Sequence, residues 1–412
     1  MLGHIIAHSR HAPTRGLPDT GTPGTLGSSL APTPKPLAPQ TAMPVMQSPP
    51  GAQTVNDGRP YLYFAGTGYL GLQGHPEVIR AACEAARQYG IGSATSRAGF
   101  GDTPPTLAVE KHAARLSGCE DSFYFASGYL GNQILVSAVQ DRFDAVFVDE
   151  FSHYSVVEAA QGSGQPVLSF GHRDPAALGE CLRRHPKPGE RPLVMSDGVF
   201  AALGHIAPVA EYAAVLGSYP GAMLLIDDAH AIGVLGANGR GTYEHAGLLY
   251  DGAAVPQLLL SGTLSKAIGG FGGIIPGTRE WVAGLKRSSH FFDGASAPPV
   301  PAAAATARAL ELVIADPGMR HRLWDNVGLL KTGLRRLGLD VEDTPVPIVC
   351  LAIGTGDAMR HIQSQMAERG IWVAYMPSYS GLGPAGALRL AVFATHTEAM
   401  IRQLLDELTR LL

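Results

Sequence analysis

Two short segments carry residue types that can make and break bonds. Lys266 lies in Ser261-Gly-Thr-Leu-Ser-Lys-Ala-Ile-Gly-Gly-Phe-Gly-Gly273, thirty-nine residues after the aspartate that opens Asp227-Asp-Ala-His230. An amine flanked by small hydroxyl residues and glycines can form a Schiff base with an aldehyde. An aspartate closing the apolar run Ala222-Met-Leu-Leu-Ile226 can hold a proton on a pyridine nitrogen. Pyridoxal phosphate needs both: an amine for its aldehyde and a carboxylate that keeps its ring cationic, so that the ring accepts electrons. Each piece alone has an ordinary explanation. A lysine after Thr-Leu-Ser is usually solvated, an Asp-Asp pair after a strand is often a turn or a helix cap, and glycines at 269, 270, 272 and 273 fit any tight loop. The order strand-Asp-x-x-His followed by strand-Ser-x-Thr-x-x-Lys is much harder to explain as packing. A dinucleotide-binding reading of the glycines is weaker, because they lack the GxGxxG order at a strand–helix junction.

The elements that must position these residues follow from periodicity. From Tyr61 onward, helical stretches alternate with short apolar runs: 122–126, 145–149, 167–170, 193–196, 222–227, 257–261 and 273–276. This alternation predicts a mainly parallel sheet covered on both faces, with one antiparallel pairing where the last two runs follow each other without a helix. In such a sheet ligands sit beyond the carboxyl ends of the strands. Asp227, Ser196-Asp197 and Thr263–Lys266 all fall there. Ser127-Gly-Tyr129 falls between a strand and a helix starting near Leu130, a natural phosphate cradle. After Pro298-Pro299 come helices at 300–315 and 319–337, strand 348–352, helix 357–369, strands 372–375 and 387–393, and a final helix. The expected organisation is a Pro-rich, largely disordered arm (1–58), a large α/β domain (59–310) and a smaller C-terminal α+β domain (311–412). The arm reading rests on ten prolines in the first fifty positions and only four Asp, Lys or Arg there.

Composition narrows the function classes. A net charge of −4 without any extended basic run gives no footprint for nucleic acid. No apolar stretch reaches the roughly 20 residues of a membrane span. The first ten residues lack the basic start and the long apolar core of a secretion signal. Cys83, Cys119, Cys181 and Cys350 are widely spaced and read as reduced thiols, so the expected location is cytoplasmic.

The chain from Tyr61 to Leu412 resembles the α-oxoamine synthases, fold-type-I pyridoxal-phosphate enzymes. The resemblance runs through Tyr69-Leu-Gly-Leu72 with His75-Pro76, Ser96-Arg97, Ser127-Gly-Tyr129, Asp149 with His153, and Asp197-Gly-Val-Phe200. It continues through Asp227-Asp-Ala-His230, Gly239-Arg-Gly241, Gly262-Thr-Leu-Ser-Lys-Ala267, Pro298-Pro299, Leu388-Arg-Leu390 and Thr395-His396-Thr397. It implies that Lys266 forms the imine with the cofactor and later moves the Cα proton, that Asp227 pairs with the pyridinium nitrogen, and that His230 bonds the cofactor's phenolic oxygen. It further implies that His153 stacks on the ring and that the Gly128 and Tyr129 amides with the Thr263 hydroxyl bind the phosphate. Arg389 would grip the substrate carboxylate and Ser380 would contact substrate. The implied activity is condensation of an amino acid with an acyl thioester, from CoA or a carrier protein, with decarboxylation to an α-amino ketone. The implied assembly is a homodimer with shared active sites, and no metal is implied.

Several positions depart from the family pattern: Thr67-Gly68 for Asn-Asp, Thr106 for a histidine, Ala201 for a cofactor-contacting serine, Ala202-Leu203-Gly204 for Met-Asp-Gly, and Gly294-Ala295 for Ser-Thr. The lost hydroxyls call for other phosphate donors, such as Ser296. The changes at 67, 106 and 201 leave room for an aminotransferase or another pyridoxal-phosphate lyase on the same fold. A non-catalytic partner subunit is disfavoured by the presence of Lys266, which such subunits typically lose.

Overall fold

The structure, a computed structural model, describes residues 45–185, 189–248 and 257–412. Its strands are β1 (Gln53–Asn56), β2 (Arg59–Tyr63), β3 (Asp121–Phe125), β4 (Ala145–Asp149), β5 (Val167–Phe170), β6 (Pro192–Asp197), β7 (Met223–Asp227), β8 (Gln257–Thr263), β9 (Gly273–Gly277), β10 (Ile348–Leu351), β11 (Ile371–Trp372), β12 (Ala374–Met376) and β13 (Ala387–Ala391). β3 to β9 form a seven-stranded sheet in the order β3-β9-β8-β7-β6-β4-β5. Every residue of β4, β6 and β7 is buried. That is why these strands read as continuous apolar runs: with helices on both faces, neither face needs polar side chains.

The central pairings from β5 through β8 are parallel. β9 is antiparallel to β8 on one side and to β3 on the other. Two pairings are therefore antiparallel where one was expected. A nine-residue link too short for a crossover helix turns β9 back beside β8, and β3, running with β8, closes on its far edge.

Two smaller sheets, β1-β2-β11 and β10-β13-β12, gather the C-terminal segment. The stretch expected as one strand over 372–375 is split: β11 joins β2, and β12 joins β13. Separating them lets a short piece of chain serve two sheets. Residues 1–44 of the expected arm lie outside the described residues. Within 45–58, however, β1 pairs antiparallel with β2. Thr54 and Asn56 point inward while Gln53 is exposed. This is a period-two pattern written in polar residues, and a hydropathy reading passes over it.

Helix entries that bear on the centre of the molecule are locally encoded. Helix Tyr154–Gln161 starts at His153, whose Nδ1 accepts from the Ser155 amide. Helix Gly131–Ala138 follows directly on a single 3-10 turn, Gly128–Leu130, that leaves the end of β3. No helix among the described residues is long and apolar enough to cross a membrane.

Candidate active site

Three neighbouring strand ends bring polar side chains into register. Asp197 at the end of β6 stands beside Asp227 at the end of β7, and Asp227 beside Ser261 in β8. Asn132, wholly buried on helix Gly131–Ala138, ties this row together. It donates to Asp227 Oδ2 at 2.6 Å and accepts from Ser261 Oγ at 2.6 Å. Ser155 Oγ donates to the same Asp227 oxygen at 3.3 Å, and the Ala229 amide donates to the other at 3.0 Å. Asp197 Oδ2 accepts from the His153 amide at 2.6 Å. Burial, and then the Asp227 charge, holds the Asp197 carboxyl well above the usual carboxylate range. The second member of the Asp227-Asp228 pair faces away. Asp228 is fully buried on the Thr242 amide and hydroxyl, and burial raises it to about 7.

A second set of contacts runs from the lysine to the arginine. Lys266 Nζ lies 2.9 Å from His230 Nε2, His230 Nδ1 lies 2.7 Å from the Tyr69 hydroxyl, and Arg389 Nη2 reaches that hydroxyl at 3.4 Å. Donor and acceptor roles along this chain are constrained. A guanidinium only donates, so the Tyr69 oxygen accepts from Arg389 and gives its own hydrogen to His230 Nδ1. A neutral imidazole accepting at Nδ1 carries its hydrogen on Nε2 and offers it to the lone pair of Lys266 in that amine's unprotonated form. Burial, with the Lys266 and Arg389 charges, pulls His230 well below its ordinary value. Burial also pulls Lys266 down to about 8, against the opposing pull of Asp227 and Asp197. The Tyr69 phenol is raised by burial to about 12 and stays protonated.

Arg389 is fixed by two backbone carbonyls as well. Nε donates to the Ala201 carbonyl and Nη1 to the Gly66 carbonyl, each at 3.0 Å. One N–H on each terminal nitrogen is left for a carboxylate.

The phosphate cradle is formed by close approach. A Cβ built on Gly128 would lie 2.5 Å from Thr263 Cβ and 2.7 Å from Thr263 Oγ1, so only glycine brings this turn against the end of β8. Thr263 Oγ1 donates to the Gly272 carbonyl at 3.0 Å and lies 2.8 Å from Ser265 Oγ. Within the chain the second hydroxyl at the cradle is thus Ser265. Ser296 pairs through its backbone with Ser96.

The structure therefore brings Lys266, Asp227, His230, Arg389, Gly128, Tyr129, Thr263 and His153 around one centre. His153 both caps its helix and faces Tyr129 and Tyr379, with ring centroids 5.9 and 6.2 Å away. Ser380 is not drawn into this network: its hydroxyl reaches only the Glu150 carbonyl, at 3.5 Å. The aromatic neighbour Tyr379 takes the position over His153 instead. Asn132, Ser155, Ser265 and Tyr69 enter the site without having been singled out by the sequence. Tyr69 and Ser265 sit inside the Tyr-Leu-Gly-Leu and Gly-Thr-Leu-Ser-Lys motifs, which could have pointed to them.

Comparison with known proteins agrees with this geometry. The family model for aminotransferase class I and II matches residues 62–408. The chain is 36% identical over 365 residues to an 8-amino-7-oxononanoate synthase of Cellvibrio japonicus, covering 88% of this chain and 90% of that one. Another 8-amino-7-oxononanoate synthase, from Dechloromonas aromatica, is 34% identical over 371 residues, covering 89% and 94%. Among solved structures, a serine palmitoyltransferase of S. paucimobilis with a bound PLP–myriocin aldimine superposes with a TM-score of 0.82. It is 26% identical, covering 90% of this chain and 92% of that one. The chain belongs to the α-oxoamine synthases. Like them it is a fold-type-I, pyridoxal-phosphate-dependent acyltransferase.

The residues present fit the cofactor on their own geometry. A glycine-only approach shapes a cradle at a helix start, a buried carboxylate stands at the end of β7, and Lys266 has depressed basicity. In the roles expected of them, Gly128, Tyr129 and Thr263 would hold a phosphate, Asp227 a ring nitrogen and Lys266 an aldehyde.

Proposed function

We propose that the chain condenses an α-amino acid with an acyl thioester, releasing a free thiol, carbon dioxide and an α-amino ketone. The observation that carries this reading is the chain of contacts Arg389–Tyr69–His230–Lys266. It sets a carboxylate receptor and an amine at opposite ends of one hydrogen-bonded path.

Pyridoxal phosphate, held by Lys266 and Asp227, would supply an electron sink for the pair left when a bond to Cα breaks. The chain's own residues do the rest. Arg389 takes the amino-acid carboxylate on its two remaining N–H groups and fixes which Cα bond faces the lysine. Lys266, its basicity lowered by burial to about 8, accepts the Cα proton in its unprotonated form. A C–C bond then forms to the acyl carbonyl as the C–S bond breaks, and the leaving thiolate takes a proton from solvent. Loss of the carboxylate as carbon dioxide opens the same carbon again, and Lys266 returns the proton there. Asp227 keeps the ring nitrogen protonated throughout, held in place by Asn132, Ser155 and the Ala229 amide.

The large segment 59–310 carries the cofactor residues and the smaller segment 311–412 supplies Arg389; Ser380 remains a proposed substrate contact at its edge. We further propose a cytoplasmic homodimer with active sites at the subunit interface. Ile91, Phe100 and Leu107 are exposed apolar side chains close together in sequence, with Phe100 fully exposed. Such a group favours burial against a second copy.

The test is incubation of the purified holoenzyme with a panel of amino acids and acyl-CoA or acyl-carrier thioesters. Release of thiol and carbon dioxide in equal amounts, lost in Lys266→Ala, is the expected result. Formation of a keto acid without thiol release would replace this reading with transamination.

A further inference from the structure

Ala201 lies in a turn whose position decides where the Arg389 guanidinium points, because its carbonyl holds Nε. The turn is closed by the Val199–Ile206 bridge, by the Phe200 amide on the His205 carbonyl at 2.9 Å, and by the Gly204 amide on the Phe200 carbonyl at 2.8 Å. These bonds give the turn its internal shape. The start of the turn is held to the sheet by the Gly198 amide on the Asp227 carbonyl at 2.8 Å and by the buried Phe200 ring. At its far end the side-chain anchor is a histidine pair: His205 Nδ1 lies 3.1 Å from His172 Nε2, and the two rings stack at 5.4 Å. His172 also takes the edge of the Phe200 ring at 4.4 Å.

The role of His172 in the pair follows from Asp149. Its Oδ1 accepts from the Phe151 amide at 3.0 Å and contacts His172 Nδ1 at 2.9 Å. Its Oδ2 accepts from the Arg173 amide at 2.8 Å and the Tyr212 hydroxyl at 3.1 Å. A carboxylate taking this many donors has no hydrogen to give, so His172 donates from Nδ1 to Asp149, and a single shared hydrogen joins His172 Nε2 to His205 Nδ1. The far nitrogen of His205 faces Glu342 at 3.9 Å, and Glu342 is in turn held by Arg173 at 2.6 Å.

We infer that His205 is a positioning residue for carboxylate recognition: through its hydrogen bond with His172 it ties the far end of the Ala201 turn to the end of β4 and so aligns Arg389. The inference rests on the proposed role of Arg389. The side chain of His205 is 30% exposed and the turn's own bonds are backbone bonds, so its replacement leaves the core intact.

The experiment compares wild-type holoenzyme with His205→Leu, which cannot hydrogen-bond to His172, and His205→Asn, which can. Amino-acid affinity is read from the absorbance change of the bound cofactor, and KM for both substrates and kcat are measured separately. Loss of one hydrogen bond in the path predicts about a tenfold weaker amino-acid affinity and higher amino-acid KM in His205→Leu. The KM for the acyl thioester should be unchanged, and His205→Asn should restore most of the affinity. Unchanged affinity in His205→Leu, an equal rise in both KM values, or no rescue by Asn would overturn the inference. A wild-type enzyme whose cofactor spectrum responds to no amino acid would instead overturn the proposed function. If His205→Leu does not fold, His205→Ala takes its place, with the same expected loss of affinity and the same results counting against the inference.

Discussion

Replacing the catalytic lysine should make the cofactor-free protein more stable, and the gain should vanish in alkali. Burial moves the Lys266 amine from its ordinary 10.5 to about 8. Below pH 8 the amine is protonated both folded and unfolded, and the fold bears the full cost of a buried cation. The difference of about 2.5 between those two values corresponds to roughly 3 kcal/mol as an upper limit. Between pH 8 and 10.5 the unfolded chain binds the proton and the folded chain does not, so stability rises with pH across that window. Above it the penalty is gone.

Lys266→Met keeps an unbranched stem of similar length and removes the charge. It also removes the contact with His230 Nε2, which costs about 1 kcal/mol. The net expectation is a variant about 2 kcal/mol more stable than wild type at pH 7, with that advantage lost or reversed at pH 10.5. Urea unfolding of both cofactor-free proteins at the two pH values measures it, and the difference between the proteins cancels the titration of groups that do not feel the Lys266 charge. A variant less stable at pH 7, or an advantage that does not shrink with pH, would refute the picture of an amine strained by burial. The same strain favours function, since forming the imine with the cofactor removes the proton that burial penalises.

How far the sequence reveals this arrangement depends on the range of the interaction involved. The run at 145–149 coincides with β4, because a strand buried on both faces must be apolar along nearly its whole length, and that is a local property. The lysine, the aspartate and the glycine turn were legible for a related reason: each follows directly on such a strand. β1 was not legible, since its inward residues are Thr54 and Asn56. Nor was the position of β9 between β3 and β8, which depends on pairing across 148 residues from Phe125 to Gly273. The site residues that escaped share one feature. Asn132 matters because it meets Asp227 from 95 residues away, and Tyr69 because it meets His230 from 161. Either side chain, read alone, is an ordinary buried polar group. The choice of Asp227 over Asp228 was already made from the sequence, and the structure adds only where Asp228 goes, onto the Thr242 amide and hydroxyl.

Three further outcomes test the geometry. Arg389→Lys should raise the KM for the amino acid by about 10- to 100-fold with a smaller effect on the acyl thioester, because an ammonium cannot hold the Ala201 and Gly66 carbonyls and still offer two parallel donors; steady-state kinetics with each substrate varied measures it. Gly128→Ala should fold but lose the cofactor readily, since the added methyl meets Thr263 Cβ at 2.5 Å and must push the phosphate turn off β8; equilibrium dialysis should show affinity for pyridoxal phosphate lowered at least about tenfold. Tyr69→Phe is the most discriminating of the three, because it deletes one oxygen and no packing volume. Without that hydroxyl His230 Nδ1 loses its donor and is free to carry the hydrogen itself, and Nε2 then becomes an acceptor that favours a protonated Lys266. The amine should therefore become more basic, and the acidic limb of the pH–kcat profile should move to higher pH. The amino-acid KM should also rise, because Arg389 loses a partner. A profile that stays in place while activity falls would mean that Tyr69 supports only the arginine, and that the histidine's hydrogen is set by something other than this chain of contacts.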